Sequence, residues 1–376
     1  LISANDYLKN KLDERKAAGI YRSLKPENDL VDFCSNDYLG FARSPVLKKH
    51  IKTELDSNPL SLNGSTGSRL LSGNLRYAED LEQEIATFHG FEAGLLFNSG
   101  YDANLGLLSS LAQRGDTIIL DELVHASAID GARLSNANRY SFKHNSIESL
   151  EAKLKASKGN CYVVVESIYS MDGDSAPLKD IAGLTKKYGA HLIVDEAHAV
   201  GLYKKGLINE LGLQNHVFAA VVTFGKALGC HGAIVLGGNM LKDYLVNFAR
   251  PFIYSTAPSF HHLASIKMAY QLLNNVEEEI IDLKNNITYF QKHIEFNSDY
   301  PLLHSDSAIQ CIILKNNDTA CRIATTLQSA GLDVRPILSP TVAAGTERIR
   351  ICLHSFNTLN ELALLCNTVN NFINVR

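Results

Sequence analysis

The stretch His191-Leu192-Ile193-Val194-Asp195-Glu196-Ala197-His198 decides how this chain is read, together with Val221-Val222-Thr223-Phe224-Gly225-Lys226-Ala227-Leu228-Gly229. Each carries a short apolar run of the kind that forms a strand buried on both faces. The first ends in an acid, and the second leads to a lysine 31 positions after Asp195. Lys226 has apolar neighbours, and desolvation lowers the pKa of an amine, which favours the form that condenses with a carbonyl.

Outward from that pair, apolar runs at 93–97, 117–120, 161–165, 191–194, 217–223 and 232–236 read as strands, and amphipathic stretches at 75–89, 101–113, 146–156 and 178–188 read as helices. Such alternation predicts an α/β domain with a mostly parallel sheet. Residues 5–18 favour a helix, and 30–34 read as a short strand before the turn-rich Ser35-Asn36-Asp37-Tyr38-Leu39-Gly40. Long helical periodicity over 258–295 leads to strands at 308–314, 332–335 and 347–353 and helices near 318–330 and 358–374, a small α+β unit. The expected organisation is an N-terminal arm (1–44), a large domain (45–285) and a small C-terminal domain (286–376).

At 376 residues and 45% hydrophobic, the chain can bury a large core. A net charge of −4 argues against general binding to nucleic acid or anionic membranes. The seven cysteines show no Cys-x-x-Cys spacing, so reduced thiols are expected, with neither a disulfide framework nor a metal site. No apolar run approaches the ~20 residues of a membrane span, and the N-terminus has no signal-peptide pattern, so a cytoplasmic protein is expected.

An acid ending one strand and a lysine following the next match the two anchors of pyridoxal 5′-phosphate: a carboxylate for the pyridinium nitrogen and an amine for a Schiff base. His198, three residues beyond Asp195, can face the same ring. Asn98-Ser99-Gly100-Tyr101-Asp102 follows a strand and opens a helix, where backbone N–H groups can take a phosphate. Thr223 can add a hydroxyl there or simply be a β-branched strand residue. His125 can stack on an aromatic cofactor. Arg350, alternating with apolar residues in Arg348-Ile349-Arg350-Ile351, can clamp a carboxylate. Asp195-Glu196-Ala197-His198 also spells the acidic box of helicases. That reading lacks a phosphate loop, since Ala220 and Ala227 stand where Gly-x-x-x-x-Gly-Lys-Ser/Thr requires glycine and a hydroxyl residue.

Taken together, six motifs resemble the α-oxoamine synthases, pyridoxal-phosphate enzymes of the aspartate aminotransferase fold (fold type I), from about residue 10 to the C-terminus. They are Ser35 to Gly40, Gly64-Ser65-Thr66-Gly67-Ser68-Arg69, His125-Ala126-Ser127, Ser170-Met171-Asp172-Gly173-Asp174, Asp195 to His198, and Thr223 to Lys226. The resemblance implies decarboxylative joining of an amino acid to an acyl thioester. It implies that Lys226 holds the cofactor, Asp195 pairs with the pyridinium and His125 stacks on the ring, with Ser170 and His198 on the ring's oxygen side. Gly100, Tyr101 and Thr223 would bind phosphate, helped by Ser255 and Thr256 of a second subunit in a homodimer. Arg22, Asn36, Thr341 and Arg350 match substrate-side positions, Arg350 as carboxylate clamp. Ile253-Tyr254-Ser255-Thr256 and Pro340 to Thr346 resemble the branch that uses L-alanine with a pimeloyl group on CoA or acyl carrier protein. Ala343 stands where most of that branch has proline, and the segment between Arg22 and Leu30 is shorter than usual, which leaves the acyl group open. Glycine C-acetyltransferase and 5-aminolevulinate synthase are the competing readings, and a silent partner subunit is disfavoured by the presence of Lys226, Asp195 and His198.

Overall fold

The computed structural model describes residues 2–59 and 61–374. Its main sheet has seven strands: β1 (Ala93–Phe97), β2 (Thr117–Asp121), β3 (Asn138–Phe142), β4 (Cys161–Glu166), β5 (His191–Asp195), β6 (Ala219–Thr223) and β7 (Ala233–Gly237). Their spatial order is β1-β7-β6-β5-β4-β2-β3. β7 runs antiparallel to both its neighbours, and the remaining pairs are parallel. Central strands such as Val163-Val164-Val165 are buried on both faces, which is why their sequences are continuous apolar runs rather than alternating ones. β3 carries the exposed Asn138-Arg139-Tyr140-Ser141 on the open edge of the sheet, and that polarity hides it from a search for apolar runs.

Helices cross between the parallel strands and end where local chemistry stops them. Arg76–His89 terminates at Gly90 and Leu178–Tyr188 at Gly189, both in the left-handed region that glycine enters without a Cβ penalty. Helix Gly100–Leu111 starts at Ser99, whose hydroxyl accepts from the Asp102 N–H. The parallel arrangement brings the carboxyl ends of β2, β4, β5 and β6 to one edge, and the antiparallel β7 leaves that of β1 there too. That edge is where open α/β sheets bind ligands.

The C-terminal unit is a three-stranded antiparallel sheet of β8 (Ile309–Ile313), β9 (Arg335–Ile337) and β10 (Arg348–Cys352), in the order β8-β10-β9. Helices Asn317–Ser329 and Leu359–Asn374 accompany it, and Phe260–Leu273 and Glu277–His293 connect it to the main sheet. The expected strand at 332–335 divides in two. Leu332–Asp333 pairs in parallel with Val31–Asp32 of the arm, and the chain then turns into β9. Hydrogen bonds from Cys352 N to Phe33 O and from Ser355 N to Tyr38 O continue this seam. The seam fixes Asn36 and Tyr38 beside Arg350. None of the described helices is long and apolar enough to cross a membrane.

Candidate functional site

A cavity of about 280 Å³ opens at the carboxyl edge of the main sheet. Five of the six strands that end at that edge contribute, the edge strand β3 being the exception: Gly100 and Asn104 after β1, His125 after β2, Glu166 and Ser170 from β4, Asp195 and His198 from β5, Thr223 and Lys226 from β6.

Lys226 Nζ lies 2.7 Å from His198 Nε2. Burial pushes its amine down to about 8, with the Arg350 charge acting in the same direction and Asp195 and Glu166 opposing it. His198 Nδ1 is 2.7 Å from the Tyr38 hydroxyl, which lies 3.2 Å from Asn36 Oδ1. The phenolic hydrogen has two acceptors in reach, Asn36 Oδ1 and His198 Nδ1, and the one that takes it sets the imidazole tautomer and so the direction of the bond between Nε2 and Lys226. Burial, with the Lys226 and Arg350 charges, holds His198 well below the ordinary histidine range, so the ring is neutral. Arg350 completes the chain by donating to Asn36 Oδ1 at 2.9 Å and to the Ser170 carbonyl at 2.7 Å. The amine thus reaches the arm and the C-terminal sheet through one hydrogen-bonded line.

On the other side of the cavity, Asp195 Oδ1 accepts from Ala197 N at 2.9 Å and Oδ2 accepts from Asn104 Nδ2 at 2.7 Å. Glu166 pairs in register with Asp195 on the adjacent strand and is 3% exposed. Its Oε2 accepts from Ser170 N, and Oε1 has no protein partner. Burial and the neighbouring Asp195 charge push this carboxyl up to about 8, so it is largely protonated at neutral pH. His125 caps helix Ala126–Leu134, with Nδ1 receiving the Ser127 N–H at 3.2 Å. Burial, then the Lys226 charge, lowers its pKa against the pull of Asp195.

The helix after β1 leaves the Gly100 and Tyr101 N–H groups without intrahelical acceptors, since Ser99 caps only that of Asp102. A Cβ at Gly100 would sit 2.5 Å from Thr223 Cγ2, so only glycine allows this approach. Thr223 Oγ1 is buried with no partner, an unmet hydroxyl at the same corner.

Five expected residues do not line this cavity: Arg350, which stands behind Asn36 and Ser170, and four that lie apart from it. Arg22 donates to Thr341 Oγ1 at 3.2 Å, and the two line a separate cavity of about 190 Å³ with Arg15 and Pro340. Thr256 is held through its carbonyl by Asn98 Nδ2 at 3.0 Å, and Ser255 precedes it on the same segment. The sequence reading missed Asn104, Glu166 and the bonding role of Tyr38. The signals available were an amide within the apolar helix Gly100–Leu111 and an acid ending Val163-Val164-Val165-Glu166.

These residues fit pyridoxal 5′-phosphate. Lys226 offers a low-pKa amine to its aldehyde, Asp195 a hydrogen-bonded carboxylate to its ring nitrogen, and the Gly100 corner with the unpaired Thr223 hydroxyl a place for phosphate.

The model of the family described as aminotransferase class I and II matches residues 28–366. An 8-amino-7-oxononanoate synthase of Emericella nidulans is 43% identical over 366 residues, covering 90% of this chain and 88% of its own length. Among solved structures, the serine palmitoyltransferase of S. paucimobilis with a bound PLP–myriocin aldimine superposes with a TM-score of 0.87 at 26% identity, covering 98% of this chain and 96% of its own. The 8-amino-7-oxononanoate synthase of Francisella tularensis gives a TM-score of 0.76 at 28% identity, covering 92% of this chain and 98% of its own.

Proposed function

This chain belongs to the aminotransferase class I and II family, and we propose that it is an 8-amino-7-oxononanoate synthase acting in biotin biosynthesis with pyridoxal 5′-phosphate. The observation that carries the reading is the Lys226–His198–Tyr38–Asn36–Arg350 line opposite Asp195, in a chain 43% identical to a relative of that name.

L-Alanine and a pimeloyl thioester are joined as the bond between alanine Cα and the thioester carbonyl forms. The thiol leaves, the alanine carboxyl departs as CO2, and Cα takes up a proton. When bound, the cofactor supplies an aldehyde for the substrate amine and a ring that accepts electrons from Cα. Lys226 Nζ, with its lowered pKa, is the base that takes the Cα proton and the acid that returns it. Asp195 holds a proton at the ring nitrogen. His198, neutral with Nδ1 tied to Tyr38, presents Nε2 to whatever hydroxyl or amine faces it. Arg350 and Asn36 orient the substrate carboxylate, a positioning contribution that brings reacting atoms into line.

Turnover tests the substrate assignment. L-Alanine with pimeloyl-CoA or pimeloyl-acyl carrier protein is expected to give 8-amino-7-oxononanoate by mass spectrometry, with glycine and acetyl-CoA far slower. Preference for the second pair would make the protein a glycine C-acetyltransferase.

We also propose a homodimer whose sites are shared. Thr256 stands outside its own chain's Lys226 cavity, and Tyr254 on its segment and Leu62 and Leu71, which flank the Ser65–Ser68 turn bonded to Thr256 and Pro258, expose large apolar surfaces. Chains with Lys226→Ala mixed with chains carrying Ser255→Ala and Thr256→Ala are expected to regain activity on mixing, because one hybrid site receives an intact lysine and intact hydroxyls. A fully active monomer at assay concentration would overturn the shared site.

A further inference from the structure

Asn104 is an amide buried in an otherwise apolar part of helix Gly100–Leu111, 3% exposed. A polar side chain is kept in such a place only when its hydrogens are used. Both are. Asn104 Nδ2 donates to Asp195 Oδ2 at 2.7 Å and to Ser127 Oγ at 3.0 Å. Ser127 Oγ in turn lies 2.8 Å from His125 Nδ1. Since Asn104 supplies a hydrogen to Ser127 Oγ, the hydroxyl proton is free to go to His125 Nδ1, which places the remaining imidazole proton on Nε2.

The fold is built to allow this. Helices Gly100–Leu111 and Ala126–Leu134 approach so closely at Gly131 that a Cβ there would sit 2.8 Å from the Asn104 carbonyl oxygen. The groups facing the amide are thus Asp195 from β5 and Ser127 and His125 from the neighbouring helix and its cap, while the Lys226 charge acts on the imidazole.

We infer that Asn104 is a positioning residue that locks Asp195 and His125 to one another, so that a flat aromatic ring between them meets the carboxylate at its edge and the imidazole on its face at the same time. The inference rests on the cofactor reading above, but not on the identity of the acyl substrate. Asp195 ends one strand and His125 caps the helix that follows another, and the hydrogen-bonded path between them runs through the two side chains of Asn104 and Ser127. Both oxygens of Asp195 accept a hydrogen bond, Oδ2 from Asn104 Nδ2 and Oδ1 from Ala197 N, which together fix the carboxylate plane.

The test uses holoenzyme with Asn104→Ala, Asn104→Asp, Ser127→Ala and the Asn104→Ala/Ser127→Ala pair. Loss of a hydrogen bond to a charged group predicts that Asn104→Ala lowers kcat about 10- to 100-fold. The alanine KM should change little, and the visible circular dichroism per bound cofactor should weaken as the ring loses its fixed orientation. Asn104→Asp should be worse than Asn104→Ala, because it sets a second carboxylate against Asp195 Oδ2. Ser127→Ala should weaken the same dichroism alone but add nothing in the Asn104→Ala background, since the relay is already broken.

An Asn104→Ala protein with a lowered melting temperature but unchanged kcat and dichroism would overturn the inference and leave the amide a packing residue. Strictly additive effects of the two substitutions would also overturn it. Should Asn104→Ala fail to fold, Ser127→Ala decides alone, and an unchanged dichroism sinks the proposal. If wild type binds pyridoxal phosphate yet does not turn over alanine with a pimeloyl thioester, the substrate reading fails while these dichroism results still judge Asn104.

Discussion

A Lys226→Ala protein is expected to fold and to lose turnover by a factor on the order of 10⁴ or more, because no other group at the site can both hold the aldehyde and move the Cα proton. The neighbouring residues argue that the fold survives: Lys226 follows β6 rather than lying within it, and its amine contact is to His198. Borohydride reduction of the wild-type holoenzyme, followed by peptide mapping, should place the pyridoxyl label on Lys226. Label on another lysine would end the assignment. The amine also has a defined pH signature. With its pKa at about 8, about 9% of the amine is neutral at pH 7, against about 0.03% for an amine at 10.5. Only the neutral form attacks an aldehyde, so uptake of pyridoxal phosphate by apoprotein should accelerate as pH rises from 6 and level off above the folded pKa. A rate that goes on rising about tenfold per pH unit past 8 and 9, without levelling off, would show that the amine is not lowered.

Asp195→Asn is expected to slow exchange of the L-alanine α-proton with D2O by about 10²- to 10⁴-fold, read by proton NMR without any acyl substrate. A neutral amide cannot keep a proton on a ring nitrogen as a carboxylate does. The substitution also sets two amides against each other. Asn104 Nδ2 now donates to Oδ2 of a carboxylate, and an asparagine that turns its Nδ2 to that position meets a donor with a donor. Exchange close to the wild-type rate would show that Asp195 does not stabilise the carbanion. The two outcomes are separable from those at Lys226, since Asp195→Asn should still take a borohydride label.

Much of the fold was readable from residue types. Apolar runs such as Ile118-Ile119-Leu120 and Val163-Val164-Val165 became central strands because a sheet covered on both faces admits little else. The polar edge strand Asn138–Phe142 escaped, since its side chains meet water and need no apolar pattern. So did helix Ala126–Leu134, a nine-residue element whose start is set by the His125 cap rather than by a long periodic stripe. The expected strand at 332–335 split because Leu332–Asp333 pairs with the distant Val31–Asp32, a partner that local sequence does not announce.

What the sequence by itself determined was the α/β alternation and the chemical identity of its punctuation: Asp195 ending one buried strand, Lys226 following the next, and Gly100 opening a helix. Desolvation makes those residue types rare in such places, and that rarity is local information. The tertiary structure alone decided which of them meet. It set Lys226 against His198 and extended the line to Tyr38, Asn36 and Arg350, residues of the arm and of the C-terminal sheet. It also put Asn104 between Asp195 and Ser127. Hydrogen bonds act over about 3 Å, whereas all these partners except Tyr38 and Asn36 lie tens to hundreds of residues apart in sequence, so the bonds exist only once strand order and helix packing have brought the chain back on itself.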